Sequence, residues 1–248
     1  MTQEMTFLSK NGRKIQGQIY LPFHGENHFP LVIFCHGFGS NFRELMHHGD
    51  GFAQAGICCL FFDFCGGSLE SMSDGTMEEM TIQSECEDLK TVLACARELS
   101  YVDPDRIFLL GESMGGLVCS LVAARYPADI RAMVLWYPAL GIPEDAARRY
   151  SAGEREVFGL HLGETFDREA MTLDVYQDIP AYQRPVLLIH GTEDPIVPIS
   201  YSQKALHVYQ DARLLVMPGA GHGYEGADSV MARDQSIAFI KEYLCVHP

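Results

Sequence analysis

RIFLLGESMGG, residues 106–116, begins as an apolar run and ends in three glycines grouped around one serine. The run through Leu110 reads as a buried strand, and MGGLVCSLVAARY, which stops before Pro127, reads as a helix. Gly111-Glu112-Ser113-Met114-Gly115 is therefore G-x-S-x-G on a strand-to-helix turn. So sharp a turn holds the serine in a strained conformation. Side chains two residues to either side would strike the neighbouring strand and helix, and glycine at 111 and 115 removes those collisions. A hydroxyl at a helix N-terminus also sits where negative charge is favoured. A glycine-rich turn with an incidental serine is the plain alternative, so partners elsewhere in the chain decide the reading.

Working outward, further short apolar runs appear at LVIFC (31–35), ICCLFFDF (57–64), AMVLWY (132–137), PVLLIHG (185–191) and RLLVM (213–217). Their continuous rather than alternating hydrophobicity suits strands covered on both faces. TFLSKNGRKIQGQIYL reads as two strands joined at Asn11-Gly12, a dipeptide suited to a tight hairpin. Between strands, TIQSECEDLKTVLACARELS places Ile82, Cys86, Leu89, Leu93 and Ala96 on one helical face. Its opposite face is acidic and polar, and is expected to look outward. Strands alternating with helices imply right-handed crossovers and a mostly parallel sheet with an antiparallel hairpin at its N-terminal edge. In such sheets chemistry gathers at the carboxyl ends of the strands.

Three other strand ends carry suitable groups. TEDPIVP follows PVLLIHG and puts Asp194 in a turn, and PGAGHGY follows RLLVM and puts His222 in a glycine-rich loop. A serine hydroxyl is a poor nucleophile at neutral pH. It needs a base such as His222, which in turn needs a carboxylate to fix its tautomer and stabilise the imidazolium. Asp194 could instead cap the turn before Pro195, His222 could be a solvated loop residue, and Glu193 and Asp228 are weaker claimants for the acid. HGFGS, residues 36–40, follows LVIFC, and its backbone N–H groups suit an oxyanion. Phe38 N–H and Met114 N–H are the expected donors. His36 and His190 are expected to hold loops by hydrogen bonding, and Asp63 to organise the loop after its strand.

HGFGS, FDFCGGSLES, GESMGG, HGTEDPIVP and GAGHGY, in that order, resemble the α/β-hydrolase superfamily over nearly the whole chain. Within it the chain is similar to the cinnamoyl/feruloyl esterase group and related bacterial carboxylesterases. The resemblance implies an α/β-hydrolase fold: a mostly parallel central sheet of about eight strands flanked by helices, with a small lid insertion. It makes residues 1–248 one domain and selects Asp194 as the acid, through the pattern H-G-x-x-D. It also implies that Asp145 occupies the place of a lid aspartate that contacts a phenolic hydroxyl, and that Phe166 lies near a lid tyrosine position, without that hydroxyl. The chain departs from the family at Glu112, where many relatives carry histidine, and at Cys65-Gly66-Gly67, where polar-Gly-His/Arg-Gly is common.

Residues 139–182 separate two strands by more than a crossover helix needs, and Arg148, Arg149, Glu154, Arg155 and Glu156 make the segment polar. It is expected to be no part of the core and to lie as a lid over the serine, the alternative being a helical decoration. Leu140, Phe158 and Leu160 would supply an apolar wall.

A 248-residue chain, 47% apolar, has enough for one sizeable core. Its formal charge of −15 argues against a nucleic-acid partner, and no apolar stretch is long enough to cross a bilayer. MTQEMTFLSKNGRK has no apolar h-region, so secretion is not expected. Eight cysteines without C-x-x-C spacing read as buried thiols of a reducing, cytoplasmic compartment. His47, His48 and Asp50 are weighed as a metal site and set aside, because adjacent histidines should point apart in a solvated loop. No cofactor and no metal are expected. The partners expected are a small-molecule ester and, as an open alternative, a second copy in a homodimer. The expected activity is serine carboxylesterase, hydroxycinnamoyl (feruloyl) esters included. A prolyl-oligopeptidase-type peptidase, a thioesterase, a monoacylglycerol lipase and a non-catalytic binding protein are the alternatives.

Overall fold

The continuous apolar runs become strands of one eight-stranded sheet in the computed structural model, which describes residues 1–22 and 28–245. The strands are β1 (Thr2–Leu8), β2 (Lys14–Tyr20), β3 (Phe29–Cys35), β4 (Cys58–Phe62), β5 (Val102–Glu112) and β6 (Ala132–Trp136). A two-stranded ribbon, β7 (Glu156–Val157) and β8 (Leu160–His161), precedes the last two, β9 (Val186–Gly191) and β10 (Ala212–Met217). Spatial order is β1-β2-β4-β3-β5-β6-β9-β10. The β1–β2 and β2–β4 pairs are antiparallel and all others in this sheet are parallel. Gly12, at φ 76°, closes the N-terminal hairpin.

Helices α1 (Phe42–Leu45), α2 (Gly49–Gln54), α3 (Ile82–Arg97), α4 (Ser113–Arg125), α5 (Ile142–Ala152), α6 (Glu164–Ala170), α7 (Val175–Asp178), α8 (Ser200–Val208) and α9 (Gly226–Glu242) cover the sheet. α3 starts at a reciprocal cap: the Thr81 hydroxyl accepts from Ser84 N–H, and the Ser84 hydroxyl accepts from Thr81 N–H. Its apolar face is buried as the periodicity predicts, each large side chain there contributing about 1.5–3 kcal/mol. Two cores result, one on each side of the sheet. Among the described residues no helix is long and apolar enough to cross a membrane.

Strand register positions the site. Cys35 pairs with Gly111, and Glu112 pairs with Trp136. The residues just beyond three adjacent strands, namely the HGFGS loop, Ser113 and Tyr137, therefore converge at the carboxyl ends of the central strands.

Several expectations are corrected. The polar face of α3 is not wholly exposed: Glu85 and Asp88 are buried. Asp88 accepts Cys65 N–H at 2.8 Å, and burial still pushes it up to about 6. Both Glu85 oxygens lack partners among the described residues, and burial raises that carboxyl well above its usual range, so it folds as a neutral acid. β10 is an edge strand and so is only half covered. The 139–182 insertion is amphipathic rather than purely polar, burying Ala146, Leu162, Phe166, Ala170, Ile179 and Tyr182 beneath its charged face. Cys95 and Cys245 are exposed, while the other six thiols are buried. Residues 46–50 are helical, not a solvated loop, and the His47 and His48 rings lie 3.8 Å apart with His48 buried.

Candidate active site

Ser113 is the first residue of α4 and has φ 49°, a left-handed conformation unusual for a side chain with Cβ. Its neighbours make that turn possible. A Cβ on Gly111 would lie 2.4 Å from the Gly115 carbonyl oxygen, and one on Gly115 would lie 2.3 Å from that of Cys35. Both obstacles are backbone and cannot swing aside. Backbone strain and close packing together lift the Ser113 hydroxyl beyond the carboxyl end of β5.

His222, in the loop after β10, places Nε2 3.0 Å from Ser113 Oγ. Its Nδ1 donates to Asp194 Oδ2 at 2.8 Å. The Asp194 side chain is fully buried. Its Oδ1 accepts Ile196 N–H at 2.9 Å and Val197 N–H at 2.8 Å, and the His190 ring lies 3.4 Å from Oδ2. Burial pushes this carboxyl up, but the His190, His222 and backbone hydrogen bonds outweigh it and hold it well below the usual carboxylate range. An ionised Asp194 keeps the proton on Nδ1 and leaves Nε2 free to accept the serine proton.

The HGFGS loop reaches the serine from β3. His36 Nδ1 lies 2.8 Å from the Gly37 carbonyl, while Nε2 accepts Phe64 N–H at 3.1 Å, and both lock the loop. Among the described residues neither Phe38 N–H nor Met114 N–H has a protein acceptor. Two backbone donors are thus left unpaired in residues that line one cavity with Ser113. Asp63 accepts Phe42 N–H and Met72 N–H, each at 2.7 Å, and fastens the two loops around the site.

Glu112 was legible only as a departure from relatives. Its Oε1 accepts Gly37 N–H at 3.3 Å and its Oε2 accepts the Tyr137 hydroxyl proton at 2.7 Å. Tyr137 has φ 35°, and its ring centroid is 4.6 Å from that of His222. Burial, then Glu112, raises the Tyr137 hydroxyl well above its ordinary value, so it remains a donor. Glu112 thereby couples the HGFGS loop to the residue packed on His222. The signal in sequence was Tyr137's place just past a strand beside β5, which says nothing about its hydrogen bond.

Two cavities meet at Ser113. One, of about 400 Å³, runs beneath the insertion and is lined by Met114, Ile142, Val157, Leu162 and Phe166, with Asp145 and Arg148 paired at 2.6 Å. Asp145 and Phe166 both lie on it, while Leu140 is buried away from it. Phe158 lines it too, its ring 6.4 Å from that of Phe38, and Leu160 packs on Gly39. Arg149 and the buried Asp167, 2.6 Å apart, tie α5 to α6. The second cavity, about 430 Å³, opens on the His222 side. Among the described residues no cluster of side chains could hold a metal ion.

Comparison with known proteins agrees with this geometry. A family model described as serine aminopeptidase, S33, matches residues 26–164, and one described as TAP-like protein matches residues 169–243. The structure of Est1E from Butyrivibrio proteoclasticus with ferulic acid bound superposes with a TM-score of 0.86 at 25% identity, covering 97% of this chain and 99% of that one. A monoacylglycerol lipase of Mycolicibacterium smegmatis is 26% identical over 230 residues, 77% of this chain and 80% of the lipase. The dihydrolipoyllysine-residue acetyltransferase component of the acetoin cleaving system of Pseudomonas putida is 24% identical over 258 residues. That match takes in 88% of this chain but 65% of the relative, so the chain spans less than two thirds of that protein.

Proposed function

From the premise that the chain belongs to the α/β-hydrolase serine hydrolases, by its match to the S33 family model, we propose that it is a carboxylesterase acting through a Ser113 acyl-enzyme. The observation that carries this is the unbroken chain of hydrogen bonds from Ser113 through His222 to Asp194. His222 Nε2 takes the Ser113 proton as Oγ attacks the ester carbonyl, and Asp194 stabilises the imidazolium. The tetrahedral oxyanion is met by Phe38 N–H and Met114 N–H. His222 then gives its proton to the leaving alcohol, the carbonyl re-forms, and the acyl group stays on Ser113. Water, deprotonated by the same imidazole, attacks the acyl-enzyme, and the acid departs as Ser113 recovers its proton.

The acyl group occupies the cavity beneath the insertion. The lining mixes apolar side chains with charged ones at its rim, which suits an aromatic acid bearing a polar substituent, with Phe166 as a wall and Asp145 as acceptor for a ring hydroxyl. The bound ferulic acid of Est1E supports a hydroxycinnamoyl acyl group. Eight free thiols are the basis for assigning the enzyme to the cytoplasm.

The family model's own description favours a second reading, a serine peptidase that releases N-terminal residues. Wild type and Ser113→Ala, tested with a fluorophosphonate probe, p-nitrophenyl esters, methyl ferulate and aminoacyl amides, separate the two. Labelling and ester turnover that vanish in Ser113→Ala are expected. Absence of labelling overturns the hydrolase mechanism, and amide turnover above ester turnover replaces the esterase with the peptidase.

A further inference from the structure

The second cavity is lined by His222, Gly223 and Tyr224, none of which borders the cavity beneath the insertion. In the proposed mechanism the leaving oxygen receives its proton from His222 Nε2, so the departing alcohol must lie on this side of Ser113. Two features there are unexplained by the fold. His48, at the cavity wall, is only 3% exposed, yet among the described residues neither of its ring nitrogens has a hydrogen-bond partner. Tyr224 also lines the cavity, and its buried hydroxyl is without a partner among the described residues. A hydroxyl unpaired at such depth, as that of Tyr224 is, costs stability unless a ligand or water completes it, and the His48 nitrogens at the wall are open to the same partner.

The chemistry of the wall restricts the ligand. Burial, with His47 and Arg233 nearby, pushes His48 down to about 3, so its imidazole is neutral and offers one donor and one acceptor. The Tyr224 hydroxyl can donate or accept. Glu44, Glu112 and Glu225 lie around them, and no Lys or Arg lines the cavity. Three carboxylates repel a phosphorylated leaving group. Glu112 is already engaged by Gly37 and Tyr137 and Glu44 by Ser40 and Asn41, while Glu225 is exposed and screened by solvent, which leaves all three poorly placed to grip a cation. Trp136 packs behind both groups, its ring centroid 4.9 Å from that of His48 and 6.0 Å from that of Tyr224, and fixes their positions at the cavity wall.

We propose that this cavity is the leaving-group subsite and that it takes an uncharged polyol alcohol, whose hydroxyls bond to His48 and Tyr224. The proposal rests on the esterase reading above and specifies its second substrate half. It excludes coenzyme A thioesters and choline esters as preferred substrates.

Four derivatives of one acid test it: the methyl, 1-glyceryl and choline esters and the coenzyme A thioester. The glyceryl ester is expected to exceed the methyl ester in kcat/KM by about tenfold, the choline and coenzyme A derivatives being slower than the glyceryl ester. His48→Phe keeps the ring and removes both nitrogens. Tyr224→Phe removes one oxygen, and keeps the test open should the His48 variant not fold by its thermal transition. Each folded variant is expected to bring the glyceryl-to-methyl ratio toward one. Equal wild-type rates for glyceryl and methyl esters, a faster choline or coenzyme A derivative, or folded variants that retain the ratio overturn the subsite while leaving the esterase intact. Absence of fluorophosphonate labelling and of methyl-ester turnover overturns the esterase and the subsite together.

Discussion

Replacing Glu112 by alanine tests whether the oxyanion loop is held from below. The carboxylate accepts Gly37 N–H at 3.3 Å and the Tyr137 hydroxyl at 2.7 Å, so alanine frees the peptide that precedes Phe38 and the ring packed on His222. A hydrogen bond to a charged group contributes about 1.5–3 kcal/mol, and each 1.36 kcal/mol is tenfold in rate. The Gly37 bond is long, which places the expected loss at the lower end, about 10–100-fold in kcat. KM should move by less than about threefold, because no substrate contact is removed. Glutamine separates geometry from charge. Its amide oxygen can accept from Gly37 while its NH₂ donates to the Tyr137 oxygen, and it removes a negative charge that opposes the oxyanion. Glu112→Gln is therefore expected to match or exceed wild type in kcat. Steady-state kinetics on a p-nitrophenyl ester decide the matter. An unchanged kcat in Glu112→Ala, a defect confined to KM, or a Glu112→Gln variant as impaired as alanine refutes the positioning argument.

Other perturbations have equally direct readouts. Asp194→Asn should lower kcat by about 10³–10⁴-fold, as the amide favours the wrong His222 tautomer, and single-turnover acylation measures it. Gly115→Ala forces a Cβ to 2.3 Å from the Cys35 carbonyl oxygen; a cost of roughly 3 kcal/mol lowers the thermal midpoint by about 6–12 °C, and calorimetry checks it. Asp88 has a folded pKa of about 6, above the unfolded carboxylate value, so its contribution favours the fold at pH 4 and is lost as pH rises through 6. Asp88→Asn keeps an acceptor for Cys65 N–H, and denaturant titrations at pH 4 and pH 7 should show it relatively stabilised at pH 7 by about 2–3 kcal/mol.

Much of the fold was legible because buried parallel strands leave an unmistakable trace, unbroken apolar runs bounded by glycine and polar turns. Ser113, Asp194 and His222 were readable for a related reason: each follows such a run, so locating the strands also located the residues at their carboxyl ends. The acidic face of α3 misled because period alone cannot tell that a carboxylate will accept a backbone N–H from another loop, as Asp88 does from Cys65. The amphipathic insertion misled similarly, since its charged residues are frequent while its buried ones are scattered, only Leu162, Phe166 and Ala170 falling at successive steps of four. His48 was hidden by its neighbour. Two adjacent histidines in a polar stretch look solvated until a helical turn carries one of them against Phe34 and Trp136.

What no linear pattern could supply is register, and register accounts for the parts of the site that were missed. Because Cys35 faces Gly111 and Glu112 faces Trp136, the residues at 37, 112 and 137 become spatial neighbours although they come from three strands. Once they are neighbours, a carboxylate at 112 has two donors to satisfy, Gly37 N–H and the Tyr137 hydroxyl, and a neutral imidazole has fewer acceptor sites to offer them. The departure from relatives at Glu112 is then one half of a pair with Tyr137. A histidine introduced there alone should leave one of the two donors unpaired, whereas Glu112→His combined with Tyr137→Phe removes the second demand. The double variant is expected to recover kcat relative to Glu112→His, and a purely additive double-mutant cycle contradicts the coupling.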